Sequence, residues 1–158
     1  LTHGDPIAGE ACALWCLAIR HAVRTGEFGD LRDGLELLPG RYDFWRNVID
    51  QAEREDPSVF TSNGYVVTAL QAAWSSITHT PVPPEAPTRH LVDSLTTAIS
   101  IGNDTDTVAT IAGALLGARW GASAVPEEWQ DMIHGWPAGT DVADLKRWAT
   151  AIVERFLN

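Results

Sequence analysis

Asp104 and Asp106 set two carboxylates two residues apart, and Thr107 adds a hydroxyl beside them, in the run Gly102-Asn103-Asp104-Thr105-Asp106-Thr107. Hard divalent cations such as Mg²⁺ or Mn²⁺ take oxygen ligands, and paired carboxylates supply those ligands together with compensating charge. In an extended or turning segment, residues two apart point the same way, so Asp104 and Asp106 can share one ion. Gly102 lets the backbone turn into the run. The same residues also have an ordinary use, because Asp, Asn and Thr ahead of a helix cap its free N–H groups. The helix dipole moreover places positive charge at that end and opposes a cation. Two carboxylates therefore do not complete a metal site here; further acidic groups are required.

The elements that must position this run are helices. Asp5-Pro6 is a capping residue followed by proline at the first helical position, and the helix it opens runs to about Arg24, with Gly26 beyond its end. Residues 31–38 read as a short helix closed by Pro39-Gly40, and residues 44–53 as a third. After a loop over 55–63, Val66, Leu70, Ala73, Trp74 and Ile77 fall at helical spacing within residues 65–77. Residues 80–87 carry four prolines and form a rigid connection. Residues 91–99 form the next helix, immediately before the acidic run.

The helix after Thr107 has the clearest pattern. Val108, Ile111, Ala112, Leu115 and Leu116 make one apolar stripe. Ala109, Gly113, Gly117 and Gly121 recur every four residues on an adjoining face, a pattern that lets another helix approach closely. Pro126 opens a further short helix, and Asp141 caps a last one that runs through Phe156. No period-two strands and no internal repeat are present. The expectation is a single all-α domain over residues 1–158, with helices crossing orthogonally instead of running up and down.

Composition narrows the function. A net charge of −10 leaves no Lys and Arg cluster for a nucleic-acid backbone. It does not exclude an anionic ligand held by helix N-termini, backbone amides and metal. No apolar run reaches the length of a membrane span. Cys12 and Cys16 lie one helical turn apart, a spacing that aims their side chains poorly for a bridge; they read as small buried hydrophobes of a cytoplasmic protein. The seven tryptophans read as packing between helices.

The stretch from Gly102 to Ala118, Gly-Asn-Asp-Thr-Asp-Thr-Val-Ala-Thr-Ile-Ala-Gly-Ala-Leu-Leu-Gly-Ala, resembles the C-terminal metal motif of the ADP-ribosylglycohydrolases. Leu1-Thr2-His3-Gly4-Asp5-Pro6 resembles that family's central motif, and Ser62-Asn63-Gly64-Tyr65-Val66-Val67 its nucleoside-side loop. The three follow in the family's order and cover most of the chain. The resemblance implies an all-helical enzyme with two Mg²⁺ or Mn²⁺ ions that removes ADP-ribose from a modified protein or a small ADP-ribose-containing molecule.

Residue by residue, it implies Asp104, Asp106 and Thr107 as metal ligands. His3 is expected at the ribose or phosphates; the bland alternative is a surface histidine. Asn63 and Gly64 are expected to present amides to the diphosphate, and Tyr65 to stack on adenine or ribose; the alternative for Tyr65 is a core residue. Asp5 reads as a helix cap and not as a ligand.

Two departures accompany the resemblance. Asn103 stands where the family usually has glycine. The glutamate and the Thr/Ser-Asp-Asp-Thr run of the family's N-terminal half, which supply the remaining ligands and the general base, are absent. The chain therefore reads as a C-terminal portion that holds about half of an active site and is inactive by itself. Rival readings are an inactive all-α binding or structural module of the same fold, and a phosphatase of the haloacid-dehalogenase type. The phosphatase needs a buried strand before Asp104, for which residues 95–99 are the candidate.

Overall fold

The computed structural model describes residues 3–157, so Leu1 and Thr2 of the first motif lie outside the described residues. The helical patterns become α1 (Pro6–Thr25), α2 (Tyr42–Arg54), α3 (Val66–Thr78), α4 (His90–Ser100), α5 (Thr105–Trp120), α6 (Glu127–Met132) and α7 (Val142–Leu157), joined by short 3-10 turns. The described residues contain no strand, only an isolated bridge between Gly135 and Thr140. The fold is all-α, as expected. Residues 95–99, the strand that a phosphatase would need, lie inside α4.

The chain packs as two compact units, Leu1–Ala124 and Val125–Asn158. In the first, α5 is the axis on which α1, α3 and α4 pack. The expected stripe explains this: Val108, Ala112, Leu115 and Leu116 are all fully buried. Helix α3 is buried on every side from Ala69 to Ile77, so its polar residues need internal partners. Gln71 Nε2 donates to Val48 O and Gln51 Oε1, and Ser76 Oγ donates to Ala72 O.

Four tryptophans of this unit pack between elements and also find acceptors, as buried indoles must. Trp15 donates to Ile111 O, Trp45 to Glu10, Trp74 to Glu53 and Trp120 to His90 Nδ1. His90 is buried, and its Nε2 reaches the carbonyls of Ile77 and Thr80. The Trp120 bond leaves Nε2 as the protonated nitrogen. This histidine therefore ties the end of α3 to the start of α4, the helix that delivers the chain to the acidic run. In the second unit, Asp141 Oδ1 caps α7 through Ala143 N at 2.8 Å, and Lys146 Nζ bonds Gln130 Oε1 of α6.

Several expectations change. Cys12 and Cys16 are exposed free thiols and not buried ones. Their i,i+4 spacing keeps the pair together on one side of α1, at the edge of its buried stripe of Ala11, Leu14, Trp15 and Ala18. With Trp15, Val66, Leu70 and Ile111 they line a shallow apolar groove. Residues 31–37 form a 3-10 helix instead of an α-helix. The stripe of small residues on α5 meets α4 only at ordinary distance: a Cβ on Gly113 would lie 3.7 Å from Leu95, and one on Gly117 would meet nothing.

Candidate functional site

Helix α5 begins at Thr105, three residues earlier than the pattern suggests, because Asp104 O already accepts from Val108 N. Asp104 is thus the cap residue, while Asp106 and Thr107 occupy the first turn. The chain reaches this start through two successive residues with positive φ, Gly102 at 84° and Asn103 at 61°. Left-handed backbone favours glycine, and asparagine is among the few other residues that adopt it readily. That geometry accounts for Asn103 standing where the resembling family has glycine.

The carboxylates are placed unlike the other aspartates at helix starts. Asp5 accepts from Ile7 N, Asp30 from Arg32 N, Asp56 from Ser58 N and Asp141 from Ala143 N. Asp104 makes no such capping bond with its side chain. Its backbone is engaged and its half-buried carboxylate is left over. Asp106 and Thr107 are exposed beside it. The three side chains offer hard oxygen donors, a set that fits Mg²⁺ or Mn²⁺ in kind. The number falls short: among the described residues no group of three or more His, Cys, Asp or Glu side chains is placed to hold a metal ion.

The loop ahead of α3 meets this turn. Asp56 starts it, its carboxyl lowered below its ordinary range by hydrogen bonds from the Ser58 hydroxyl and amide. Phe60 anchors it in the core. Asn63 is fully buried, its Nδ2 donating to Gly102 O at 3.0 Å and its Oδ1 accepting from Asp104 N at 3.0 Å. A Cβ on Gly64 would lie 4.0 Å from Asp104 Oδ2, so the glycine leaves open space beside the carboxylate. Tyr65 follows in extended conformation as the cap residue of α3, its carbonyl accepting from Ala69 N. Its side chain is not in the core: Tyr65 is 51% exposed.

The structure therefore brings Asn63 and Gly64 together with Asp104, with Tyr65, Asp106 and Thr107 adjoining them in the chain. His3 stands exposed in the lead-in to α1, ahead of the Asp5 cap. Sequence reasoning missed the bond of Asn63 to the acidic turn. The spacing of 41 residues carries no signal for it, although an asparagine beside a glycine does mark a turn whose side chain can bond backbone.

A family model described as ADP-ribosylglycohydrolase matches residues 1–158. The chain is 48% identical over 61 residues to an ADP-ribosylhydrolase ARH3 of Bos taurus, a stretch covering 37% of this chain and 16% of that relative. It is 47% identical over 55 residues to the ARH3 of Homo sapiens, covering 34% and 15%. It is 33% identical over 72 residues to an ADP-ribosylarginine hydrolase Tri1 of Pseudomonas putida, covering 46% and 17%. The chain is thus matched to a small part of each relative's length. No solved structure matches it.

Proposed function

The chain belongs to the ADP-ribosylglycohydrolases, and from that premise we propose that it contributes one side of a metal-dependent site that hydrolyses the glycosidic bond between ADP-ribose and an acceptor. The observation that carries this reading is the Asp104 carboxylate, which makes no capping bond and lies near Gly64, while the other cap aspartates are spent on backbone amides. Asp104, Asp106 and Thr107 are the ligands this chain offers to Mg²⁺ or Mn²⁺. Such ions supply Lewis-acid orientation of the ribose hydroxyls and a more acidic water.

The chain's own residues do the rest of the positioning. Tyr65 presents an exposed ring on which adenine or ribose stacks. Gly64, without a side chain, lets the diphosphate approach the backbone beside Asp104. His3 lies at the ribose or phosphates. The remaining ligands and the general base come from a part of the fold upstream of this sequence, so the chain alone is inactive. The substrate is an ADP-ribosylated protein or an ADP-ribose-containing small molecule, met in the cytoplasm.

The shortage of donors among the described residues favours a second reading, a non-catalytic module of the same fold. The test is release of ADP-ribose from peptides modified at serine or at arginine, by the intact protein with Mg²⁺ or Mn²⁺ added. Asp104→Asn and Asp106→Asn should each abolish release without loss of helical circular dichroism. Wild-type turnover by either variant at limiting metal would end the ligand assignment. No turnover by the intact wild type on any ADP-ribosyl substrate would leave the module reading.

A further inference from the structure

We propose that the cleft between α1 and the 3-10 helix of residues 31–37 binds a small aliphatic zwitterion, a ligand with a carboxylate at one end and an ammonium or guanidinium group at the other. The cleft has a volume of about 360 Å³, which suits a ligand of amino-acid size. Local geometry lines it with opposite charges. Arg20 and Arg24 stand one turn apart on α1 and share a face. Asp30, Asp33 and Glu36 recur every three residues, and a 3-10 helix stacks such positions in one row. Leu17 and Leu37 supply apolar lining, and Leu37 is 69% exposed.

These charges are held in place and left unpaired. Leu31 and Leu35 are buried, and at Gly34 the 3-10 helix approaches α1 so closely that a Cβ would lie 2.8 Å from Leu14 and 2.9 Å from Leu17. Asp30 is spent on the amide and guanidinium of Arg32. Arg20, Arg24, Asp33 and Glu36, by contrast, make no ion pair and no side-chain hydrogen bond among the described residues, although all four line one cleft. Like charges one helical turn apart repel each other, and here both signs occur on two packed elements without meeting. A simple anion would suit the arginines and be repelled by the acids; a simple cation would meet the reverse. A ligand with both charges on an aliphatic stem satisfies the two sets and covers Leu37. Lysine and arginine are the amino-acid cases. None of these residues belongs to the acidic turn or to the loop ahead of α3, so the proposal stands apart from the hydrolase reading.

The probe is 6-aminohexanoate, with hexanoate and hexylamine as its two halves, titrated into the intact protein and followed by amide nuclear magnetic resonance. The zwitterion should give saturable shifts confined to the amides of residues 17–25 and 30–37. Each half-ligand lacks one set of charge contacts and should bind about tenfold more weakly. Raising the salt to about 1 M should weaken the zwitterion, because these charges are open to solvent and screened. Arg24→Met and Glu36→Gln each remove one charge and keep most of the side chain. Each should weaken 6-aminohexanoate about two- to fivefold, the range of an exposed charge contact, with the thermal midpoint unchanged. If either fails to fold, Arg20→Met and Asp33→Asn replace them. The proposal is overturned by an absence of saturable shifts, by shifts centred elsewhere, by half-ligands that bind as tightly as the zwitterion, or by folded variants with wild-type affinity.

Discussion

At the scale of single residues, position relative to the backbone decides what each polar group is free to do. Asp104 and Asp5 are both cap aspartates, yet only Asp5 turns its carboxylate onto its own helix. Tyr65 caps a helix with its carbonyl and leaves its ring in solvent. Tyr65→Ala should therefore leave helicity intact and weaken ADP-ribose. Stacking is worth roughly 1–3 kcal/mol per base, so calorimetry on the intact protein should show the dissociation constant rising about tenfold. An unchanged constant would remove the ring from the site. Asn103 is held left-handed at 61°. Asn103→Gly should be close to neutral, whereas Asn103→Val should destabilise by about 1–2 kcal/mol in urea unfolding. Equal stability of the two would mean that the turn relaxes to negative φ.

At the scale of elements, the first unit is joined by charge as well as by its core. Arg32, at the start of the 3-10 helix, reaches Asp30, Asp50 and Glu53, and the last two lie one turn apart on α2. Glu53 in turn accepts from Trp74 of α3, so one guanidinium connects three elements. The hydrogen bonding that Arg32 donates to Glu53 is the largest influence holding Arg32 charged. The hydrogen bond from Arg32 is the largest influence lowering Asp50 below its ordinary 3.8. A carboxylate lowered in the folded state stabilises above its unfolded pKa, and that contribution is lost as pH falls through the folded value. The thermal midpoint of Arg32→Met should thus lie below wild type at pH 7, and the gap should narrow once the pH drops below about 4. A gap independent of pH would assign the effect to packing of the arginine stem.

At the scale of the molecule, the acidic turn is well built and short of ligands. Its charge faces a helix N-terminus whose dipole opposes a cation, and no third acidic, histidine or cysteine ligand is placed with it among the described residues. The chain alone should bind Mn²⁺ only at about millimolar concentration, as weak low-charge sites do, and should release no ADP-ribose. On the hydrolase proposal, supplying the N-terminal half that the family resemblance implies should restore both. Micromolar binding in calorimetry by these 158 residues alone would show that they hold further ligands. No helix among the described residues is long and apolar enough to cross a membrane.

The sequence by itself determined the helices, the α5 stripe, the acidic run and the family it resembles. These are readable because helical period, capping residues and ligand chemistry are local properties of a few neighbouring residues. Of the tryptophans it placed between helices, Trp15, Trp45, Trp74 and Trp120 pack so, whereas Trp136 is 90% exposed and Trp148 is also exposed, because aromatic content alone does not say which helix face meets a neighbour. It misjudged Cys12 and Cys16, because a small apolar residue is buried only if its face of the helix meets another element, and theirs lines an open groove. Tertiary structure alone decided that Asn63 would close onto Gly102 and Asp104, and that Asp104 would leave its own helix uncapped. Both depend on how α3 and α5 pack. A hydrogen bond between residues some forty apart exists only once burial has brought their loops together.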